Sequence, residues 1–406
     1  MMDYAKRAKR LEPERAFSML EKISRIVAAG HNIIGFHIGE PDFATPENIK
    51  TAACSSIHAN RTHYSPPSGV PDLRIAIADH ISKTREIQVS PEQVVVSAGT
   101  KLAIFCTIMS CVEGGADVLG PVPAYPAYPS IASLVGANYV PVPFIETDRG
   151  FRMDLDRLAN AVTPNASMIV LNSPHNPTGA LLPREDLERI AEIATEHDLW
   201  VLSDEIYSRL VYDGRFASIL SLPGMADRTI LVDGFSKAYA MTGWRLGFAI
   251  VNRTLAGLLD TFIANVHSCT ATFTQYAGIE ALTGPQHEVE KMRLKLLKRR
   301  DLMVTELNHI PGFRCHMPPG AFYAFPNVTE ACQIAGLADA DQLQDALLEL
   351  AGVAVLSMTA FHGPRDPKAD QYIRMSYATG DREILEGTRR IRDFMYARIG
   401  LPLRHN

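Results

Sequence analysis

No stretch of eighteen consecutive apolar residues occurs among the 406 positions of this chain, so no segment is long enough to cross a bilayer as a helix. Charge of one sign is not in excess either: 40 lysines and arginines face 45 aspartates and glutamates, with a pI near 6.2. That balance leaves no electrostatic footprint for nucleic acid or an anionic membrane. The six cysteines, Cys54, Cys106, Cys111, Cys269, Cys315 and Cys332, form no Cys-x-x-Cys pair. This argues against a disulfide framework or a zinc site and leaves buried free thiols as the expectation, with no metal. A Gly-x-x-x-x-Gly-Lys-Ser/Thr loop is missing, as is a dinucleotide fingerprint, which disfavours nucleoside triphosphate and nicotinamide chemistry. Residues 3–21 alternate Lys, Arg and Glu with few apolar side chains, unlike a secretory signal, so a soluble, cytoplasmic protein is expected.

What is present is a composition, 47% hydrophobic and 21% charged, that can bury a sizeable core. The length exceeds what one core usually serves, so one large domain and one smaller domain are expected. Short apolar, β-branched runs at 94–96, 168–171, 199–202, 229–232 and 247–251 read as buried strands, and helical patterns such as 184–196 lie between them. That rhythm predicts an α/β fold with a mostly parallel central sheet and helices on both faces. A charged, leucine-bearing stretch at 288–307 reads as one long helix linking the two domains. Beyond it, strand segments at 321–325 and 372–377 and helices at 339–350 and 382–399 indicate a smaller α+β domain. The expected division is 1–45 as an N-terminal arm with part of the small domain, 46–290 as the large domain, and 291–406 as linking helix and C-terminal small domain. The 363–369 stretch reads as irregular.

In such sheets chemistry gathers just beyond the carboxyl ends of the strands. Lys237 lies there, after the apolar run 230–232. A lone lysine is ordinarily a solvated surface charge, but a desolvated one loses proton affinity and becomes nucleophilic. Arg245 follows eight residues later in a Gly-flanked turn, suited either to a phosphate or to loop carbonyls. Together the pair suggests an imine with an aldehyde cofactor and a grip on that cofactor's phosphate. The segment Ser97-Ala98-Gly99-Thr100-Lys101 ends a strand and opens a helix, whose free amides also suit a phosphate. Asp204, after the run 200–202, is either a helix cap or the partner of a protonated pyridine nitrogen. Tyr207, three residues on, can donate to the phenolic oxygen of such a ring. Asn176 sits in a turn, 172–179, beyond another strand end.

Taken together and in order, Gly39-Glu40-Pro41-Asp42-Phe43, Ser173-Pro174-His175-Asn176-Pro177-Thr178-Gly179, Ser203-Asp204-Glu205-Ile206-Tyr207, Ser236-Lys237, Met241-Thr242-Gly243-Trp244-Arg245 and Tyr372-Ile373-Arg374-Met375-Ser376-Tyr377-Ala378 resemble the pyridoxal-phosphate aminotransferases of class I/II, the aspartate aminotransferase superfamily of fold type I. The resemblance covers nearly the whole chain and implies pyridoxal 5'-phosphate as cofactor, with 46–290 as its binding domain. Lys237 is implied to hold the internal aldimine, Arg245 and the Gly99-Thr100-Lys101 turn the phosphate, Asp204 the pyridine nitrogen, and Tyr207 with Asn176 the phenolic oxygen. Tyr125 matches the aromatic that stacks on the cofactor ring, and Tyr64 the tyrosine that reaches a neighbouring subunit's phosphate in a homodimer with shared sites. Arg374 is implied to clamp the substrate α-carboxylate, with a backbone amide of Gly39 nearby. The family's phosphate-binding hydroxyl three residues before the lysine is Gly234 here, and Ser236 is a possible substitute.

The activity implied is ping-pong transamination between an L-amino acid and a 2-oxo acid. Lyases and synthases of the same superfamily share the cofactor residues and are the alternative. A non-catalytic cofactor-binding regulator is disfavoured, because no room for a DNA-binding domain precedes Gly39. For side-chain selectivity, Lys101, Arg61 and Arg365 are candidate cations, and Met109, Ile38 and Phe17 are candidates for an apolar pocket, although helical spacing equally makes them core.

Overall fold

The computed structural model describes residues 3–11, 14–366 and 368–400, with the side chains of Ala16 and Phe17 outside that description. Its centre is an eight-stranded sheet: β1 Val94–Ser97, β2 Asp117–Val122, β3 Asn138–Thr147, β4 Gly150–Met153, β5 Ala166–Asn172, β6 Trp200–Asp204, β7 Thr229–Gly234 and β8 Gly247–Ile250. The spatial order is β1-β8-β7-β6-β5-β2-β3-β4. The contiguous block β7-β6-β5-β2-β3 is parallel, while β8 runs against both β1 and β7, and β4 against β3. The expected α/β fold with a mostly parallel sheet is therefore present.

Alternation along the strands builds the layers. Val170, Leu202, Ile230 and Val232 face a core that includes Ala103, Ile104 and Ile108 of helix Thr100–Cys111. Their neighbours Ile169, Leu171 and Val201 face the other way, onto Leu187, Ile190 and Ala194 of helix Arg184–Glu196. Leu231 and Phe248 on that second face meet Leu73, Ile77 and Ile81 of helix Pro71–Arg85. Burial on both faces explains why the inner strands read as continuous apolar runs.

All five expected strands of this sheet are present. Three further strands, β2, β3 and β4, escaped the sequence reading. Pro121, Pro141 and Pro143 lie inside β2 and β3, and proline argues against a strand wherever its missing N–H is needed.

The C-terminal part packs around a separate core. The long helix His287–Asn308 lies along Asp381–Arg398, and Ala340–Leu350 is capped by Asp339, whose carboxylate accepts from Gln342 N at 2.9 Å. A short antiparallel ladder joins Tyr323–Ala324, Ile373–Ser376 and Leu356–Ser357, a shorter version of the strand segments expected there. The segment leading to Gly39 belongs to this region: Ile34–Gly35 pairs in parallel with Val353–Ala354, and Phe36 O accepts from Ser376 N at 2.8 Å. Residues 363–366 carry no helix or strand, as expected, and residue 367 lies outside the described part. The cysteines are free; Cys106, Cys315 and Cys332 are buried as expected, but Cys111 and Cys269 are half-buried and Cys54 is exposed on the outer side of helix Glu47–His58. Among the described residues no helix is long and apolar enough to cross a membrane.

Candidate active site

Two neighbouring strands end on polar residues at the carboxyl end of the sheet, and a third ends shortly before a lysine. Asn172 closes β5 and Asp204 closes β6, paired in register, and β7 ends at Gly234, three residues before Lys237. Local bonds then set the turns. Asn172 Oδ1 accepts from Asn176 N at 2.8 Å and so folds the 172–179 turn back over the strand ends. Asp204 Oδ1 accepts from Ile206 N at 3.2 Å, and the Tyr128 hydroxyl donates to Asp204 Oδ2 at 2.7 Å. Burial pushes the Asp204 carboxyl up to about 6, against the Tyr128 and Ile206 hydrogen bonds that favour its ionised form.

Lys237 is partly buried, and its Nζ donates to Gly39 O at 2.6 Å. Burial, and then the nearby positive charge of Arg374, draw its ammonium down to about 8. The amine lies 5.9 Å from the centre of the Tyr207 ring and 5.7 Å from that of Phe322. The Tyr207 hydroxyl is 2.7 Å from that of Tyr323.

Arg374 reaches the same space from the C-terminal region. It is buried on the strand Ile373–Ser376, where Ile373 and Met375 turn into the core. One Nη donates to Asn176 Oδ1 at 3.0 Å and the other to His37 O at 2.6 Å, with the guanidinium 4.5 Å from the Tyr323 ring centre. Its Nε is buried and has no hydrogen-bond partner among the described residues. A buried guanidinium with a donor to spare is built for an anion.

Gly99 and Arg245 meet at the start of the helix Thr100–Cys111. Gly99, at φ 85°, opens the helix Thr100–Cys111, and a Cβ there would run into the Arg245 guanidinium, so glycine is what lets the arginine lie over the helix start. Arg245 itself, with φ 54°, donates to Thr242 O at 2.8 Å and sits 3.4 Å from Ala98 O. It therefore bonds loop carbonyls and borders the cleft at once. Gly234 has a packing reason to lack a hydroxyl: a Cβ would come 2.9 Å from Gly247 Cα and 3.1 Å from Leu246 O. Here β7 and β8 approach too closely for serine.

One cleft of about 530 Å³ gathers Lys237, Asp204, Asn176, Tyr207, Tyr125, Thr100, Lys101, Ser236, Arg245, Gly39 and Arg374. The other residues singled out from the sequence divide between this cleft and its surroundings. Lys101 turns its ammonium to Glu14, 2.5 Å away, and over the Tyr125 ring at 5.5 Å. Gly39 lines the cleft, and its carbonyl accepts from Lys237 Nζ. Tyr64 is 88% exposed and outside this cleft. Among the selectivity candidates, Ile38 lines the cleft; Arg61 lies over Tyr276, Arg365 borders an adjoining cavity, Met109 is exposed on its helix, and the Phe17 side chain lies outside the described residues.

Three residues at the site were missed. Tyr128 sits three places after Tyr125 and its bond to Asp204 spans 76 residues. Tyr323 and Glu14 reach the cleft from distant segments. Only the aromatic repeat Tyr125-Pro126-Ala127-Tyr128 offered a local signal.

Known proteins resemble this chain over nearly their whole length. The family model for aminotransferase class I and II matches residues 31–389. An aspartate aminotransferase of Bacillus subtilis is 35% identical over 97% of this chain and 99% of its own, and a probable aspartate/prephenate aminotransferase of Aquifex aeolicus is 37% identical over 96% and 97%. Among solved structures, an aspartate aminotransferase of Thermus thermophilus with maleate superposes with a TM-score of 0.90 at 33% identity, covering 97% of this chain and all of that one.

Proposed function

The chain belongs to the class I and II aminotransferases, and from that premise we propose that its strand-end cleft moves an amino group between an L-amino acid and a 2-oxo acid with pyridoxal 5'-phosphate held at Lys237. The observation that carries this reading is the convergence of Lys237, Asp204, Asn176 and Arg374, from four separate stretches of chain, on one cleft. The residues suit the cofactor. A lysine drawn down to about 8 is ready to act as a nucleophile, a buried carboxyl raised to about 6 forms no ion pair among the described residues, and the Gly99 cradle leaves room for Arg245 at the helix start.

When bound, pyridoxal phosphate supplies an aldehyde that condenses with amines and a ring that accepts the electron pair left at the substrate α-carbon. The chain supplies the rest. Lys237 Nζ would hold the cofactor's aldehyde carbon and would serve as the base for the proton on the substrate α-carbon. Asp204, held by Tyr128 and Ile206 N, would offer its carboxylate to the ring nitrogen. Asn176 and Tyr207 are assigned to the ring oxygen, Tyr125 to the ring face, and Arg245, Thr100 and Ser236 to the phosphate. Arg374 fixes the α-carboxylate, so the α-proton points at one base. The exposed Tyr64 is assigned to the phosphate site of a second subunit in a homodimer. The named relatives act on aspartate or prephenate, and we extend to this chain an amino-acid donor and a 2-oxo acid acceptor, in the cytoplasm.

Half-reactions test the assignment. Purified protein loaded with pyridoxal phosphate is mixed with aspartate, glutamate, alanine, methionine or an aromatic amino acid, one at a time. The expected result is conversion of the cofactor to its amine form with one 2-oxo acid released per site. Release of a leaving group from the side chain, with no aminated cofactor from any donor, would instead assign the chain to the lyases of the superfamily.

A further inference from the structure

Beneath the cleft, on the opposite face of the strand ends, lies a cluster of charge that the chemistry above does not use. Arg85, the last residue of helix Pro71–Arg85, has a side chain only 4% exposed. Its Nε donates to Glu205 Oε2 at 2.7 Å, and an Nη lies 3.2 Å from Asp233 Oδ2. The Glu205 side chain is 1% exposed and that of Asp233 10%. Glu205 directly follows Asp204, and Asp233 stands four residues before Lys237.

The remaining lone pairs are also occupied. Glu205 Oε1 accepts from Ser218 Oγ at 2.5 Å and from Ser203 Oγ at 3.2 Å. Asp233 accepts from Ser208 Oγ at 3.3 Å and from Gly234 N at 2.7 Å. The guanidinium also lies 4.7 Å from the Phe216 ring centre. A charged group this deeply buried is held only where its partners are fixed, because any drift leaves it without water or counter-charge.

We propose that Arg85 is a positioning residue of the transamination site: by bridging Glu205 and Asp233 it ties together the two strand ends that present Asp204 and Lys237. The reason such a tie is needed is in the ladder. Parallel pairing of β6 with β7 runs out at Asp204 and Val232, and Glu205 N to Val232 O at 2.9 Å is the last backbone bond. Past it the two chains diverge, one towards Tyr207 and the other towards Lys237, with no further backbone bond between them in the ladder. The guanidinium continues the connection one residue beyond, on the buried side. It also sets the charge of the region. Asp204, Glu205 and Asp233 bring three carboxyls close together, and each like charge makes its neighbours harder to ionise. The groups facing Asp233 are Arg85, Glu205 and Asp204, with His80 and Arg209 bordering the same small gap. Without the guanidinium the local balance turns more negative, and Asp204 is held less well as the charged partner of the ring nitrogen.

The inference rests on the assignment of Lys237 and Asp204 above, and the experiment separates the two. Arg85→Met and Arg85→Lys are purified as holoenzymes beside the unaltered protein and Lys237→Ala. Four quantities are read: the dissociation constant for pyridoxal phosphate, the absorbance spectrum of the lysine-bound cofactor, kcat and KM for the amino donor, and thermal stability. For Arg85→Met the expected outcome is a kcat lower by about 10- to 100-fold, the size that misplacing reacting groups by about an ångström produces. KM for the donor changes less than kcat, cofactor binding weakens and the spectrum shifts. Arg85→Lys, which keeps a charge but cannot fork to two carboxylates, falls between. If Arg85→Met does not fold, Arg85→Lys carries the test through the same readings. Lower stability with unchanged kcat, cofactor affinity and spectrum in the folded variant would make Arg85 a merely structural residue and overturn the proposal. Cofactor absorbance retained in Lys237→Ala would overturn the site assignment instead, whatever Arg85 does.

Discussion

Two polar seams support the cleft, and they are built differently. Beneath Asp204 and Lys237 the tie is Arg85 with Glu205 and Asp233, all nearly closed to solvent. Where the C-terminal region meets β3, the tie is Glu146, which accepts from the Tyr372 hydroxyl at 2.6 Å and from Asn327 Nδ2 at 3.3 Å. His316 Nε2 lies 2.8 Å from Glu146 and Arg314 3.2 Å, but the Arg314 side chain is 66% exposed. Tyr372 stands two residues before Arg374, so this second seam bears on the proposed substrate clamp as the first bears on the cofactor. The contrast suggests a division of labour. Groups proposed to act on the cofactor are fixed by charges buried on both sides of the pair, whereas the proposed clamp hangs on a carboxylate that is also largely buried but whose cation, Arg314, is mostly in solvent.

The largest expected effect lies at the buried end. Lys237→Ala removes the proposed anchor and base together, and transamination should fall by about 10²–10⁴-fold or more, measured as single-turnover conversion of an amino acid. Because Lys237 is drawn down to about 8, the fraction in its neutral, nucleophilic form grows as pH rises through that value. Uptake of pyridoxal phosphate by cofactor-free protein should therefore quicken up to about pH 8 and level off above it, followed by stopped-flow absorbance. A rate flat from pH 6 to 10 would separate Lys237 from the cofactor.

Breaking the tie around Arg85 should cost more stability than removing the charge from Glu146. Removing one partner of a buried ion pair typically costs about 3–5 kcal/mol, the loss expected for Arg85→Met by denaturant unfolding. Against this, Glu146→Gln keeps an acceptor for Tyr372 and Asn327 and loses only its charge towards the partly exposed His316 and the largely exposed Arg314, so it should cost about 1 kcal/mol. Equal losses would erase the contrast between the seams.

Arg374→Lys keeps a positive charge but not the fork. Charge-assisted hydrogen bonds contribute about 1.5–3 kcal/mol, so kcat/KM should drop by about 10- to 100-fold for every amino donor while cofactor affinity stays the same. Loss with one donor only would move the arginine to side-chain recognition.

The smallest effect concerns acid. Burial opposes the ionised form of Glu146, but the Tyr372 and Asn327 hydrogen bonds and the Arg314 charge outweigh it and hold the carboxyl below its ordinary value. A carboxyl lowered on folding contributes stability above its unfolded pKa and loses it as pH falls through the folded one. Melting temperature should therefore decline slightly less on acidification in Glu146→Gln than in the unaltered protein, read by calorimetry between pH 7 and pH 3.

Legibility from the sequence follows how local the cause is. Lys237, Asp204 and Asn176 each follow an apolar strand run, and the rule that sites lie past strand ends was enough to single them out. Arg374 has no such local mark and came only from resemblance to a family. Lys101 shows the limit from the other direction. Its place at a helix start was readable, but the turn of its ammonium towards Glu14, 87 residues away, was not. Tyr128 carried no reading of its own and Tyr323 lay within an expected strand segment, until the fold set one against Asp204 and the other against Tyr207. The hidden strands β2 and β3 carry prolines that a local rule rejects and the actual hydrogen-bond pattern tolerates.

By itself, then, the order of apolar runs and turn residues determined an α/β sheet, the edge where its chemistry gathers, and the lysine and carboxylate that stand there. Periodicity and turn chemistry act over a few residues, so they can be read without knowing the rest of the chain. Tertiary structure alone decided that Arg374 meets Asn176 across 198 residues, that Gly234 must lack a hydroxyl because Gly247 passes so close, and that Arg85 bridges two strand ends from a helix on the far side. Those contacts depend on side-chain direction and on distances between segments far apart in the chain, and packing sets both only once the two cores have formed.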